Sequence, residues 1–289
     1  MKKKIKTLII GNGYWGNILK NIIKKKIEYD LMGISSKDNI KKNLNKNYDL
    51  IWIATPNSTH YDTIKKFSSF TNYIVCEKPL FINQCQLDDY KNNNLDTKIF
   101  TNFIYCYDQR IMDLKKITEK INSCNNIEII MKQNGKKHDN IINILVSHCL
   151  SIIFFLFGTL NFTNISIKEY KKDSINVLFK TESLNIKILC SNDSCAKKIR
   201  QIKLCDKNNF LHVVDFSQNI EGSNSPINNL LDDLLKRIPA SKDNIISSIL
   251  VNSLLIKLNT LASNIQKIIT RNFYIHFRFN PSSIKSHKM

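Results

Sequence analysis

Short apolar runs alternate with longer mixed runs through the N-terminal third of the chain. The apolar runs are rich in β-branched residues and apolar on both faces, which is typical of parallel strands covered by helices on both sides. The mixed runs are predicted as helices, and this alternation predicts a doubly wound α/β domain. The predicted strands are Lys4–Ile10, Tyr29–Ser35, Asp49–Thr55, Asn72–Glu77 and Thr97–Asn102, and the predicted helices are Tyr14–Lys26, Thr59–Phe70 and Asn83–Asn92.

The pattern changes after residue 102. A helix, a strand and a long helix are predicted first, at Asp108–Asn122, Ile127–Lys132 and Asn140–Phe157. Strands without intervening helices follow, at Asn164–Glu169, Ser174–Thr181, Ser183–Ser191, Arg200–Cys205 and Asn209–Phe216, and then helices near Pro226–Arg237 and Asp243–Ile268. Successive strands of this kind predict an antiparallel meander.

The chain is therefore expected to contain two domains. A Rossmann domain is predicted over residues 1–102, and an α+β domain with an open, mostly antiparallel sheet over residues 103–289. The length of 289 residues agrees with two domains at roughly 150 residues each. The basic segment 266–289 contains aromatic residues and has no predicted place in either domain.

Composition and charge restrict the function classes. With 43% hydrophobic and 23% charged residues, and only 7 Gly and 5 Pro, the chain is neither disordered nor collagen-like. A formal charge of +19 resembles a nucleic-acid footprint. However, the excess is almost all lysine, and Asn and Ile are also over-used, which indicates a coding bias rather than the arginine clusters of nucleic-acid readers. We therefore expect no nucleic-acid partner, although the charge can attract anionic small molecules.

The cysteines and the apolar stretches indicate a cytoplasmic protein. Eight cysteines are present without a C-x-x-C pair or a zinc-like spacing, so reduced thiols and no metal are expected. The stretch Ile141–Phe157 is interrupted by polar residues and is shorter than the roughly 20 residues of a membrane span. The apolar run after Met1–Lys6 is too short for a signal-peptide core. We expect a buried helix at 141–157 and no membrane contact.

A glycine-rich turn follows the first predicted strand and opens the first helix, with the sequence Gly11-Asn12-Gly13-Tyr14-Trp15-Gly16. This is the G-x-G-x-x-G fingerprint of dinucleotide binding in its required context. Gly11 permits the tight turn, Gly13 lets backbone amides approach a pyrophosphate, and Gly16 lets the helix pack closely on the strand. The helix N-terminus adds partial positive charge toward the phosphates. Tyr14 and Trp15 complete the predicted cofactor loop.

The end of the second strand bears on the choice of cofactor. Proteins that select NAD usually place Asp or Glu there, against the ribose 2′-hydroxyl. This chain has Ser36 and Lys37, which could bind a 2′-phosphate. We therefore expect NADP rather than NAD, and NAD stays the alternative because Asp38 lies beside them.

Two further motifs follow the third and fourth strands, Ala54-Thr55-Pro56-Asn57-Ser58-Thr59-His60 and Cys76-Glu77-Lys78-Pro79-Leu80. His148 lies on the long helix, ten residues before Gly158. Together with the glycine loop, in this order and spacing across about residues 4–265, these motifs resemble the Gfo/Idh/MocA family, the relatives of glucose–fructose oxidoreductase and inositol dehydrogenase.

The resemblance implies an oxidoreductase. The dinucleotide would lie across the carboxyl ends of the Rossmann strands, and the substrate between the domains. Family members mostly move a hydride between NAD(P) and a sugar, a sugar nucleotide or a cyclitol, and some act on nucleotide sugars in surface-polysaccharide synthesis. They usually form dimers or tetramers through the open sheet, so a homo-oligomer acting on the CH–OH group of a sugar-like or nucleotide-sugar substrate is expected.

Lys78 is the predicted acid and base. Hydride transfer from an alcohol requires a group that takes the hydroxyl proton, and the reverse reaction requires a group that gives it back. Lys78 follows a strand end, where this fold places its ligands. Burial can depress the pKa of such a lysine, and Glu77 is expected to orient it. The resemblance gives Lys78 the same role and makes His148 its partner, which contacts the substrate or relays the proton.

The remaining candidates are expected around the same pocket. Asn57 and His60 are expected on the nicotinamide side, in a loop shaped by Thr55 and Pro56, and the alternative for His60 is a first-turn helix residue without ligand contact. Relatives contact the substrate at the crossover between the domains, which here holds Asn102 and Tyr105.

Two positions depart from the family pattern. Members commonly have Asp four residues before the histidine, and many have Asp directly after it, where this chain has Ile144 and Cys149. Nearby polar residues are Asp139, Asn140 and Asn143. The departure leaves open an altered substrate, or a cofactor-binding scaffold or regulator without redox turnover. Lyase or glycoside-hydrolase chemistry with transient use of the cofactor, and nucleic-acid binding through the lysines, are further alternatives.

Overall fold

The computed structural model describes residues 4–35, 47–93, 97–121, 124–134, 140–193, 197–206, 210–240 and 245–279. Within these ranges the chain forms a parallel five-stranded sheet and a mixed six-stranded sheet. The predicted fold class is therefore confirmed.

The first sheet is a doubly wound parallel sheet with the strand order β2-β1-β3-β4-β5. Its order reverses between β1 and β3, which is the point where open α/β sheets bind ligands beyond the carboxyl ends of their strands. The strands are β1 (Ile5–Ile10), β2 (Tyr29–Ser35), β3 (Leu50–Ile53), β4 (Tyr73–Glu77) and β5 (Lys98–Asn102), and the helices are α1 (Tyr14–Ile23), α2 (His60–Phe67) and α3 (Gln84–Asn92).

A separate hydrophobic core covers each face of this sheet. One core includes Leu8, Ile51 and Phe67, and the other includes Ile9 and Trp52. All four residues of β3 are buried, as expected for a strand with helices on both sides.

The second sheet has the strand order β11-β10-β6-β9-β8-β7, and α5 packs in its core. Its strands are β6 (Asn126–Lys132), β7 (Asn164–Lys171), β8 (Ser174–Lys180), β9 (Asn185–Ser191), β10 (Ile199–Cys205) and β11 (Phe210–Asp215). The helices of this half are α4 (Gln109–Thr118), α5 (Ser147–Phe157), α6 (Pro226–Ala240) and α7 (Ile245–Phe279).

The predicted continuous meander is wrong at one place. Strands β7, β8 and β9 do pair as an antiparallel meander, but β6 lies between β9 and β10 and pairs parallel with β9. Alternation of buried and exposed residues in β6 shows which face of the strand meets the core. It does not show which strand lies beside it, so the order could not be obtained from the pattern.

The long helix predicted at Asn140–Phe157 begins differently from an ordinary helix. A π-helical segment covers Ile142–Val146, and α5 follows directly. The side chain of Asn140 accepts hydrogen bonds from the backbone amides of Ile142 and Asn143 at 2.9 and 3.4 Å, and so supports the first turn.

The C-terminal helices pack back onto the Rossmann sheet. Leu230, Leu231 and Leu234 of α6 lie in one of its cores. Helix α7 is hydrogen-bonded to the same sheet through the hydroxyls of Ser248 and Thr101. It runs to Phe279, into the segment for which the sequence predicted no place.

Residues Ile246–Lys267 of α7 are long and apolar enough to cross a membrane, by length and composition only. A third of that window is buried in the fold, so part of its apolar surface serves as core.

Candidate functional site

Two of the three loop glycines are required by the chain's own packing, and the third is not. Gly11 has φ = 115°, and a Cβ there would lie 2.3 Å from the carbonyl oxygen of Ala54. A Cβ on Gly16 would lie 1.8 Å from the carbonyl oxygen of Gly11. A Cβ on Gly13 would have nothing within 4 Å. The absence of a side chain at Gly13 therefore leaves space for a group from outside the chain.

The start of helix α1 leaves backbone amides free at the glycine loop. Helix α1 starts at Tyr14, and its N-cap residue Gly13 provides no side-chain hydrogen bond to the first-turn amides. Those amides are available to an anion, which also lies at the positive end of the helix dipole. Asn17 fixes the loop by donating to the carbonyls of Asn12 and Gly13 at 2.8 and 3.0 Å. Tyr14 and Trp15 are exposed beside it, with an edge-on contact at 6.0 Å.

Ser36 and Lys37, on which the expected preference for NADP depends, lie outside the described residues.

His60 connects two of the sequence motifs. Its Nδ1 lies 2.7 Å from the carbonyl oxygen of Pro79, and its Nε2 lies 2.8 Å from that of Thr55. The residue is fully buried, and burial lowers the pKa of its imidazole. This placement favours the alternative in which His60 supports the loop without touching a ligand, whereas Asn57 is exposed at the loop surface.

Lys78 reaches from the end of β4 to the π-helical segment. Its Nζ donates to the carbonyl oxygens of Asn143 and Ile144 at 3.1 and 2.9 Å. A π-helical turn leaves carbonyls near its start that an α-helix would pair within the helix, and such turns occur frequently at functional sites. Lys78, which follows strand β4 of the parallel sheet, is thereby hydrogen-bonded to the helical segment that leads into α5 and His148.

Glu77 and Asn102 form a buried pair behind Lys78. The amide of Asn102 donates to Oε1 of Glu77 at 2.6 Å. Burial raises the pKa of the Glu77 carboxyl, and the Asn102 hydrogen bond and the Lys78 charge oppose that shift. Direct contact with the substrate was predicted for Asn102. The residue is only 2% exposed, so little of its surface is available for that contact.

His148 is half-buried, its imidazole makes no hydrogen bond within the described part of the chain, and its Nδ1 is buried. Its ring packs edge-on against Tyr105 at 4.5 Å. The pKa of the imidazole lies well below its ordinary value because of burial and then because of the charges of Lys78 and Arg200. His148 is therefore neutral at pH 7.

Ile144 and Cys149, which depart from the family pattern, have different surroundings. Cys149 is buried in the core, where its Sγ lies 3.7 Å from that of Cys190. Ile144 contributes its backbone carbonyl to Lys78. Asn143 does the same, while its side chain accepts from Asn259 at 3.0 Å. Asp139 lies outside the described residues.

Sequence reasoning missed Arg200. Its guanidinium lies 4.6 Å over the ring of Tyr105, which contacts His148. The available signal was the rarity of arginine, with Arg200 one of five in a lysine-rich chain. No group of three or more His, Cys, Asp or Glu that could hold a metal occurs within the described ranges.

Comparison with protein families gives one match, to the family described as "Oxidoreductase family, NAD-binding Rossmann fold", over residues 20–93. No curated protein sequence matches the chain.

Solved structures share the fold over nearly the whole chain. Myo-inositol 2-dehydrogenase from Lactobacillus plantarum is 13% identical with a TM-score of 0.74, covering 91% of this chain and 98% of its own. The WlbA (WbpB) dehydrogenase from Thermus thermophilus, in complex with NAD and UDP-GlcNAcA, is 14% identical with a TM-score of 0.69, covering 88% and 94%. GenD2 from gentamicin A biosynthesis, in complex with NAD, is 10% identical with a TM-score of 0.76, covering 91% and 95%. At these identities the likeness concerns the fold.

Proposed function

Residues 20–93 belong to the Gfo/Idh/MocA family of NAD-binding oxidoreductases, and from that premise we propose that the chain is an NAD(P)-dependent dehydrogenase or reductase of a sugar-like or nucleotide-sugar CH–OH group. The observation that supports this most directly is the reach of Lys78 to the turn that precedes His148. Lys78 follows strand β4 of the parallel sheet, at the edge where a doubly wound sheet binds its ligands, and His148 lies on helix α5 directly after the turn that Lys78 contacts.

Lys78 exchanges the substrate proton in this proposal. In oxidation its neutral amine takes the hydroxyl proton, and in reduction its ammonium gives that proton to the carbonyl oxygen. The carbonyls of Asn143 and Ile144 hold Nζ in one position in both directions. The dinucleotide, when bound at the glycine loop, accepts or supplies the hydride.

His148 orients the substrate. A neutral imidazole without a protein hydrogen bond can donate to or accept from a sugar hydroxyl. Protonation would place a third positive charge beside Lys78 and Arg200, so the surroundings keep the ring in the form that hydrogen-bonds without charge.

We propose NADP as the preferred dinucleotide, because Ser36 and Lys37 follow β2 where NAD-selective proteins place a carboxylate. A nucleotide sugar used in surface-polysaccharide synthesis is the proposed substrate class, in line with the UDP-sugar in the Thermus thermophilus complex. We also propose that the protein is cytoplasmic and forms a homo-oligomer.

A turnover screen with a matched pair of lysine variants tests the assignment. UDP-sugars and inositols are offered with NADP or NAD, and nicotinamide absorbance is followed for wild type, Lys78→Met and the exposed control Lys66→Met. The first variant should lower kcat by about 10²- to 10⁴-fold while retaining dinucleotide binding, and the control should not. Bound dinucleotide without turnover on any substrate would favour the scaffold or regulator instead.

A further inference from the structure

Two cations lie side by side at the start of β10 without a carboxylate. Lys198 donates to Oδ1 of Asn219 at 2.7 Å, and Nη1 of Arg200 approaches the same oxygen at 3.4 Å. Neither residue makes an ion pair within the described part of the chain. A single neutral amide oxygen therefore accepts hydrogen bonds from two positively charged side chains.

The two nearby carboxylates are hydrogen-bonded to other groups. Asp108 is nearly fully buried, and its two oxygens pair with the guanidinium of Arg110 at 2.8 and 2.7 Å. Asp215 accepts from the amide of Gln201 and the backbone of Ser217. Asp108 offsets part of the Arg200 charge without pairing with it, and neither carboxylate forms an ion pair with Lys198 or Arg200 in the described residues.

The surroundings penalise both charges. Burial lowers the pKa of Lys198, and the charges of Arg200 and Arg110 lower it further. Burial also lowers the pKa of Arg200; Tyr105 and Asp108 oppose that shift, and the charge of Arg110 adds to it. Two half-buried cations that repel each other and share a neutral acceptor would be stabilised by an anion from outside the chain.

The cation pair adjoins the candidate active site. Arg200 lies over one side of the Tyr105 ring, and His148 packs against the same ring. Lys78 and Arg200 both lower the pKa of His148, so the imidazole is within reach of both charges. A substrate hydroxyl at His148 and an anionic substituent at Arg200 could then belong to one molecule.

We propose that the substrate bears an oxyanion, a carboxylate or a phosphate, and that Lys198 and Arg200 bind it. This inference rests on the proposed function and narrows its substrate class to acidic sugars. The planar fork of a guanidinium and the point charge of an ammonium are suited to such oxygens. Arg200 and Lys198 thereby select against neutral polyols, which offer nothing to offset the two charges.

Binding of three simple probes tests the inference. Glucose, glucuronate and glucose 6-phosphate are titrated calorimetrically against wild-type protein saturated with NADPH, at physiological ionic strength. At least one of the two anionic probes should bind about tenfold more tightly than glucose, because charge-assisted hydrogen bonds add to the sugar contacts. Preference for glucuronate would identify a carboxylate site, and preference for glucose 6-phosphate a phosphate site.

Three variants distinguish a specific site from general attraction by a basic protein. Arg200→Gln and Lys198→Gln should each reduce the preference for the anionic probe over glucose to about threefold or less. Lys197→Gln removes the same charge from an exposed neighbour and should retain the preference. The Lys198 variant keeps the test valid if loss of the Arg200 contact with Tyr105 impairs folding.

The inference is overturned if NADPH binds but the anionic probes bind no more tightly than glucose, or if their advantage persists in both glutamine variants. Failure of NADPH itself to bind would instead refute the proposed function, on which the inference rests.

Discussion

Lys78 and His148 take their chemical properties from neighbouring groups. Lys78 donates to two backbone carbonyls, those of Asn143 and Ile144. His148 is kept neutral by burial and by two cations. The acceptors of the lysine are backbone atoms of the π-helical segment, so Lys78 is positioned there although residue 144 is Ile rather than Asp.

The pH dependence of stability should report the His148 environment. The folded-state pKa of His148 lies below its unfolded value near 6.5, so the unfolded chain binds a proton first as pH falls. The free energy of unfolding should therefore drop from pH 7 to pH 5 by more in wild type than in His148→Gln. The limiting slope for one such group is about 1.4 kcal/mol per pH unit.

Urea titrations at several pH values measure this difference. His60 contributes in the same direction, since its pKa is also lowered, but it is present in both proteins and cancels in the comparison. Equal pH dependence of wild type and His148→Gln would contradict the assigned environment.

Substitution of Gly11 should affect the stability of the fold, whereas substitution of Gly13 should affect dinucleotide binding. Gly11→Ala places a Cβ against the Ala54 carbonyl at an unfavourable φ and should destabilise the fold by about 2 kcal/mol or more. Gly13→Ala meets no atom, so stability should hardly change while dinucleotide affinity falls. Denaturation curves and NADPH titrations of both variants test this, and a strongly destabilised Gly13→Ala would show that the loop is packed differently.

At the level of elements, the sequence predicted the parallel sheet well. Strand β3 is buried throughout, and such continuous apolar runs are distinctive of central parallel strands. The position of β6 beside β9 was not predictable, because alternation in a strand reports its face and not its partner. The π-helical start of the long helix was equally hidden, since Ile142–Val146 is apolar at most positions and gives no sign of a changed period.

Only some parts of the candidate site lie in sequence motifs. The glycine loop, Lys78 and His148 each stand in a recognisable local pattern. Arg200 and the carbonyls of Asn143 and Ile144 reach the site only through tertiary packing, so no local pattern marks them.

Helix α6 should behave as part of the Rossmann core. Leu231 is fully buried against that sheet although it lies far beyond residue 102. Leu231→Ala should lower the free energy of unfolding by about 2 to 5 kcal/mol. The exposed Lys236→Ala on the same helix should change it by less than about 0.5 kcal/mol. Equal, small effects in chemical denaturation would mean that α6 does not stabilise the first sheet.

For the whole molecule, the charge of +19 need not indicate a nucleic-acid partner. In the described chain, the charges of Lys78 and Arg200 act on the His148 imidazole, and Lys198 lies beside Arg200. In our proposal, Lys198 and Arg200 use a small part of this positive charge to bind an anionic substituent, while much of the remainder is surface lysine.

Binding of the dinucleotide tests the central claim most directly. A thermal-shift titration of wild type and Gly13→Asp with NADPH and NADH measures stabilisation, which for a bound ligand reaches about 2.7 kcal/mol at one hundred times Kd. We predict stabilisation of wild type, larger with NADPH than with NADH, and its loss in Gly13→Asp, where a carboxylate would face the pyrophosphate. No stabilisation of wild type by either dinucleotide, in protein shown by absorbance to be free of bound cofactor, would contradict the oxidoreductase account.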